Sequence, residues 1–135
     1  GHVLFTEGPN GLLADIAVKG LTPGWHAIHV HEKNDCSAKD FTTTGGHANG
    51  HNHTHGYLAE GGIHTGDMPN IWASDDGYAM AQAFLPGVTL EEGEKGTLLD
   101  KDGAAVIVHA GPDDYKSQPA GNAGDRVACG SVELK

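Results

Sequence analysis

Apolar and polar positions alternate with a period of two near the start of the chain. In Leu13–Lys19, Ala14, Ile16 and Val18 alternate with Asp15, Ala17 and Lys19, and Val3–Glu7 precedes them across Gly8-Pro9-Asn10-Gly11. Two such runs around a Gly/Pro/Asn turn predict an antiparallel hairpin with one buried face. After the turn Leu21-Thr22-Pro23-Gly24, Trp25–His31 has strand composition, and Ile71–Ser74 and Tyr78–Phe84 flank Asp75-Asp76-Gly77 as two more strands. Ala104–His109 is an apolar run ending in histidine, and Arg126–Leu134 carries a closing strand. No segment shows a sustained helical period, a heptad, an internal repeat or a Gly-rich phosphate loop. About seven short strands therefore predict an all-β, immunoglobulin-like sandwich or Greek-key barrel.

Two stretches break the pattern. From Phe41 to Asn70 Thr, Gly, His and Asn dominate without periodicity, and Gly111–Asp125 is a second polar loop. Irregular loops longer than ~15 residues are uncommon in compact domains unless they carry function. The first holds five of the ten histidines, so function is expected there.

Composition narrows the classes. A length of 135 residues predicts one domain, spanning 1–135. Eight Lys plus Arg against 18 Asp plus Glu give a net charge of -10, which opposes binding to a phosphate backbone and argues against a nucleic-acid partner. No run approaches the ~18 apolar residues of a membrane-spanning helix, so a mature chain without membrane attachment is expected. The 21 glycines are scattered among short apolar runs and mark turns.

The histidines need a chemical account. In Trp25-His26-Ala27-Ile28-His29-Val30-His31 the strand period places His29 and His31 on one face, half of a metal site. His109 ends a rigid strand, and the loop adds His47, His55, His64 and Asp67, enough for a closed set of three histidines and a carboxylate. Imidazole and carboxylate without thiolate suit Zn²⁺ and Cu²⁺. His2, His26, His51 and His53 stay outside this scheme, and a solvated loop is the favoured reading of His51 and His53. Cys36 and Cys129 are either one long-range disulfide or two buried thiols. Arg126, the sole arginine, suits a small anion near a metal or a structural ion pair, with Asp125 the nearest candidate. Asp113 and Asp114 are either solvated charges or acceptors that orient metal-bound imidazoles from behind.

Taken together, Gly20-Leu21-Thr22-Pro23-Gly24, His26–Glu32, Gly45-Gly46-His47, His55-Gly56, His64-Thr65-Gly66-Asp67, Val108–Asp114 and Gly121–Gly130 resemble the copper-zinc superoxide dismutases, bacterial type, from about Leu12 to Cys129. The resemblance implies an eight-stranded Greek-key barrel and disproportionation of superoxide to O2 and H2O2 by copper cycling between Cu(II) and Cu(I). Residue by residue it implies copper on His29, His31, His47 and His109, zinc on His47, His55, His64 and Asp67, and His47 as the bridge and catalytic proton carrier. It further implies Asp113 behind His29 and His55, a Cys36–Cys129 disulfide, and Arg126 guiding superoxide. A monomer and a homodimer are both compatible with it, and a periplasmic or extracellular home is expected.

The family usually has a further strand before the hairpin, so an open sheet edge is expected beside Gly1-His2-Val3. Ala27 stands where Gly is frequent, and Ala48-Asn49-Gly50 replaces an aromatic-Asn-Pro run, so the loop geometry at His47 is expected to differ. A copper- and zinc-binding or storage module would use the same ligands without turnover, and Arg126 separates the two readings.

Overall fold

The computed structural model describes residues 1–135 and contains eight antiparallel strands and one turn of 3-10 helix. They are β1 (His2–Gly8), β2 (Gly11–Val18), β3 (Gly24–His26), β4 (Ile28–His31), β5 (Ile71–Ala73), β6 (Ala79–Pro86), β7 (Ala105–His109) and β8 (Arg126–Ser131). Three ladders result: β1-β2-β6, β3-β5 and β4-β7-β8. The neighbours β2/β6 and β4/β7 are far apart in sequence, which is the crossover pattern of a Greek key.

The hairpin forms as its pattern dictates. Gly8 pairs with Gly11 across the turn, and Gly11 has a positive φ that suits glycine. Leu12, Ala14, Ile16 and Val18 then point inward and are buried. Against them pack Ile28 and Val30 of β4, Met68, Ile71 and Ala73, Leu85, and Val106 and Val108 of β7, one contiguous core between the two larger sheets. Across β3-β5, Trp25 lies opposite Trp72 with ring centroids 5.0 Å apart in an edge-on arrangement, the kind of cross-strand pair that supports a two-stranded ribbon.

One predicted strand divides. Trp25–His31 becomes β3 and β4 because the chain changes partners at Ala27, whose N–H donates to the Gly111 carbonyl and whose carbonyl accepts from His109 N–H, both at 2.9 Å. Eight strands replace about seven for this reason. The division leaves β3 on β5 and sends β4, with its two histidines, to β7.

β1 pairs only with β2 and β8 only with β7, as an open edge requires. Between them runs an apolar groove of about 500 Å³, lined by Val3, Phe5, Leu90, Val106, Val108 and Val132 among others. No helix is long and apolar enough to cross a membrane.

Candidate metal centre

The core and the histidine cluster are two faces of the same strands. In β4, Ile28 and Val30 belong to the core, so His29 and His31 project from the opposite face, and both are completely buried. β7 presents His109 beside them, because its register sets His29 across from Ile107 and leaves His109 one step beyond the β4 pairing. The free edge of β4 is taken by the first long loop. Val30 N–H donates to Gly66 O, Ala48 N–H to Val30 O and Glu32 N–H to Gly46 O, at 2.8–2.9 Å. Isolated bridges pair His29 with Asp67 and His31 with His47. The loop is thus ordered by strand-like bonds to β4, although its sequence has no strand period.

Two tight groups of ligand atoms result, each within 4.8 Å: His29, His31, His47 and His109, and His29, His47, His55 and Asp67. In the first, His29 Nδ1 and His109 Nε2 lie 3.2 Å apart. His31 Nε2 and His47 Nε2 are buried without any hydrogen-bond partner. A buried nitrogen left unpaired costs roughly 1–3 kcal/mol, so two beside a facing nitrogen pair make a donor set that a metal ion would satisfy. In the second group, His47 Nδ1 and His55 Nδ1 each lie 2.9 Å from Asp67 Oδ1. His64 closes this group from its rim, with Nδ1 3.1 Å from His47 Nδ1 and 3.7 Å from Asp67 Oδ1, its side chain 12% exposed. His47 therefore faces one group through Nε2 and the other through Nδ1.

The outward nitrogens are held. His31 Nδ1 donates to Gly45 O (2.9 Å) and His109 Nδ1 to Gly124 O (3.2 Å). Asp113 joins the groups, accepting from His29 Nε2 at 2.8 Å and from His55 Nε2 at 2.9 Å. These partners fix the ring orientation and the nitrogen left for a metal. Asp67 is braced by the N–H groups of Gly56 (3.1 Å) and His64 (3.0 Å) at its other oxygen.

Electrostatics follow from burial and these bonds. Burial disfavours the imidazolium and lowers His31 to about 2 and His47 to about 4, with His29, His64 and His109 also lowered. His55 goes the other way: burial opposes its charge, but bonds to Asp113 and Asp67 outweigh it and hold the ring up at about 9. Burial alone would raise the two carboxylates. Bonds from His47 and His55 at Asp67, and from His29 and His55 at Asp113, instead hold both below the usual range.

Arg126 Nη1 donates to Phe41 O and Thr44 Oγ1, both at 3.0 Å, so Asp125 is not its hydrogen-bonding partner. Its charge is felt at His31 and His109, where it helps lower both. Cys36 and Cys129 are joined by a disulfide. His26 lies outside the cluster, its ring spanning the His109 and Thr22 carbonyls at 2.7 Å each. His2 and His53 are exposed, and His51 stacks on His53 away from both ligand groups.

The comparisons with known proteins agree with this geometry. The profile of copper/zinc superoxide dismutase (SODC) matches residues 1–132. The chain belongs to the copper/zinc superoxide dismutase family. It is 49% identical over 135 residues to "Superoxide dismutase [Cu-Zn]" of Caulobacter vibrioides, covering 98% of this chain and 78% of that one. It is 44% identical to "Superoxide dismutase [Cu-Zn] 2" of Aquifex aeolicus at the same coverages. Among solved structures, a SOD-like protein from Bacillus subtilis superposes with a TM-score of 0.92 at 35% identity, over 97% of this chain and 88% of that one. The Cu/Zn superoxide dismutase from Brucella abortus superposes at 0.75, also at 35% identity, over 97% and 86%.

Sequence reasoning missed Asn70, Gln118, and the carbonyls of Gly45 and Gly124. These hold Asp113, His55, His31 and His109 respectively, through bonds that involve backbone groups and leave no spacing signature.

Proposed function

We propose that this chain is a superoxide dismutase, with copper on His29, His31, His47 and His109 and zinc on His47, His55, His64 and Asp67. The observation that carries the reading is His47. One buried imidazole turns an unpaired Nε2 toward three other histidines and its Nδ1 toward Asp67 and His64, with His55 on the same carboxylate oxygen. Four imidazoles suit a redox-active copper, and three histidines with a carboxylate form the closed tetrahedral set of zinc.

When bound, copper supplies the one-electron exchange that turns one superoxide into O2 and a second, with two protons, into H2O2, while zinc charges and steadies the shared ring. The chain's own residues do the rest. His47 Nε2 is the atom that holds and hands over a proton, since Nδ1 is engaged with Asp67. Asp113 and the Gly45 and Gly124 carbonyls keep the other three rings aimed. Arg126 supplies the fixed positive field that draws an anion to a protein of net charge -10. The Cys36–Cys129 disulfide supports a periplasmic or extracellular setting.

The test is superoxide disproportionation by the copper- and zinc-loaded chain beside its metal-free form, with metal content measured on the same samples. Rapid metal-dependent turnover with about one copper and one zinc per chain is expected. Full loading without turnover would overturn the enzyme reading in favour of metal binding or storage.

A further inference from the structure

His55 and Asp113 meet through the 2.9 Å bond that joins the two long loops, and both lie outside regular secondary structure. Their backbone groups therefore have no ladder partners, and one carboxamide serves each. Asn70 accepts the Asp113 N–H at Oδ1 (2.8 Å) and donates from Nδ2 to the Asp113 carbonyl (3.0 Å). Gln118 accepts the His55 N–H at Oε1 (2.9 Å) and donates from Nε2 to the His55 carbonyl (2.8 Å). A primary carboxamide carries an acceptor and a donor side by side, so each makes the pair of bonds that a neighbouring strand would make.

The arrangement is reciprocal. Asn70, at the end of the first loop, holds the carboxylate residue of the second, and Gln118, in the second, holds the histidine of the first. Each clamp is itself held: Asn70 N–H donates to Tyr115 Oη (2.8 Å), and Gln118 Nε2 also donates to Lys116 O (3.0 Å). The peptide beyond His55 is fixed too, because Gly56 N–H donates to Asp67 Oδ2 at 3.1 Å. With its backbone held on both sides, His55 keeps Nδ1 on Asp67 while Nε2 stays on Asp113.

We propose that Asn70 and Gln118 are positioning residues of the zinc-side group, a pair of crossed carboxamide clamps on which zinc retention depends. Neither touches a reacting atom; both act through His55 and Asp113. The proposal rests on the metal-centre reading above.

The experiment uses the full chain loaded with copper and zinc, as the parent and as Gln118→Ala, Gln118→Glu and Asn70→Ala. Zinc release to a chelating dye, copper retention, thermal stability, and the visible spectrum of Co(II) substituted at the zinc position are recorded. Gln118 is exposed at the surface, so its variants decide the question even if Asn70→Ala fails to fold. Gln118→Ala is expected to release zinc roughly tenfold faster, the low end of the cost of losing a residue that supports a ligand, with copper retention unchanged and the cobalt bands shifted. Gln118→Glu keeps the acceptor for His55 N–H and loses the donor, so it should fall between. Zinc release and a cobalt spectrum equal to the parent's in Gln118→Ala would overturn the clamp, whatever the melting temperature does. A parent that retains no zinc would overturn the metal-centre reading itself, a separately visible result.

Discussion

Arg126 lies directly across the β7–β8 ladder from His109, at the point where the register shifts between Val108 and His109. The shift sets Arg126 opposite His109, the last residue of β7, instead of one pair further along. Arg126 then spans from β8 to the Phe41–Thr44 turn through two bonds from Nη1. It therefore has two roles, a charge near His31 and His109 and a tie on the loop.

Replacing Arg126 separates those roles. Arg126→Ala should keep copper and zinc but lose about tenfold or more in kcat/KM, within the 10–10³ range of electrostatic steering, and its rate should depend less on salt. Arg126→Lys keeps the charge without the planar fork and should recover part of the loss. Steady-state rates at two ionic strengths, with metal content determined, check this. Equal rates in Arg126→Ala and the parent would leave the arginine with only its loop contacts.

The metal-free chain should be most stable near pH 6.5. His31 and His47, lowered to about 2 and about 4 by burial, refuse protons that the unfolded chain accepts below ~6.5, so stability falls as pH drops through that window. His55, held up at about 9 mainly against burial by Asp113 and Asp67, contributes fully below ~6.5 and loses its contribution as pH rises to about 9. Urea unfolding with a chelator at pH 4.5, 6.5 and 9 should trace this dome. His55→Gln should flatten its alkaline side, and a parent curve still rising at pH 9 would contradict the assignment.

The disulfide joins residues 93 apart in sequence, from the irregular stretch after β4 to the middle of β8. Chain entropy alone gives it about 4 to 5 kcal/mol of stabilisation for a loop of that length. A Cys36→Ser/Cys129→Ser variant should lose a comparable amount in urea unfolding. It should also loosen the Asn34–Thr44 segment, which would then be held to β8 only through Ser131 Oγ on Asn34 O and Arg126 on Phe41 O and Thr44 Oγ1. Hydrogen exchange over residues 34–44 would show the loosening, and unchanged protection would mean that the Ser131 and Arg126 bonds suffice.

The strand period was enough to put His29 and His31 on one face and Ile28 and Val30 on the other, because successive side chains of a strand point to opposite faces. His47, His55, His64 and Asp67 were legible as candidate metal-binding residues from the loop's composition, but only the family motifs divided them between two ions. Bonds from β4 order that loop, and nothing in its own pattern announces them. The break at Ala27 was not legible, since Trp25–His31 reads as a continuous strand and only the arrival of Gly111 and His109 divides it. Asn70 and Gln118 were invisible for a related reason. A carboxamide that binds backbone can clamp any residue type, so its partner leaves no trace in composition or spacing.

Gly121 offers a test of how closely the site is fitted. It has φ +73, where glycine is favoured, and a Cβ there would run into the Asp113 carboxylate and reach the His55 ring. Gly20 has a similar φ of +80, with nothing within 4 Å of the same position. Gly20→Ala therefore measures the backbone strain alone, about 1 to 2 kcal/mol. Gly121→Ala adds displacement of Asp113, which orients both His29 and His55. The first variant should be modestly destabilised with normal metal content. The second should lose zinc and weaken copper binding beyond any difference in melting temperature. Equal metal affinity in the two would mean that Asp113 tolerates displacement, and that the rings are oriented by the backbone rather than by this carboxylate.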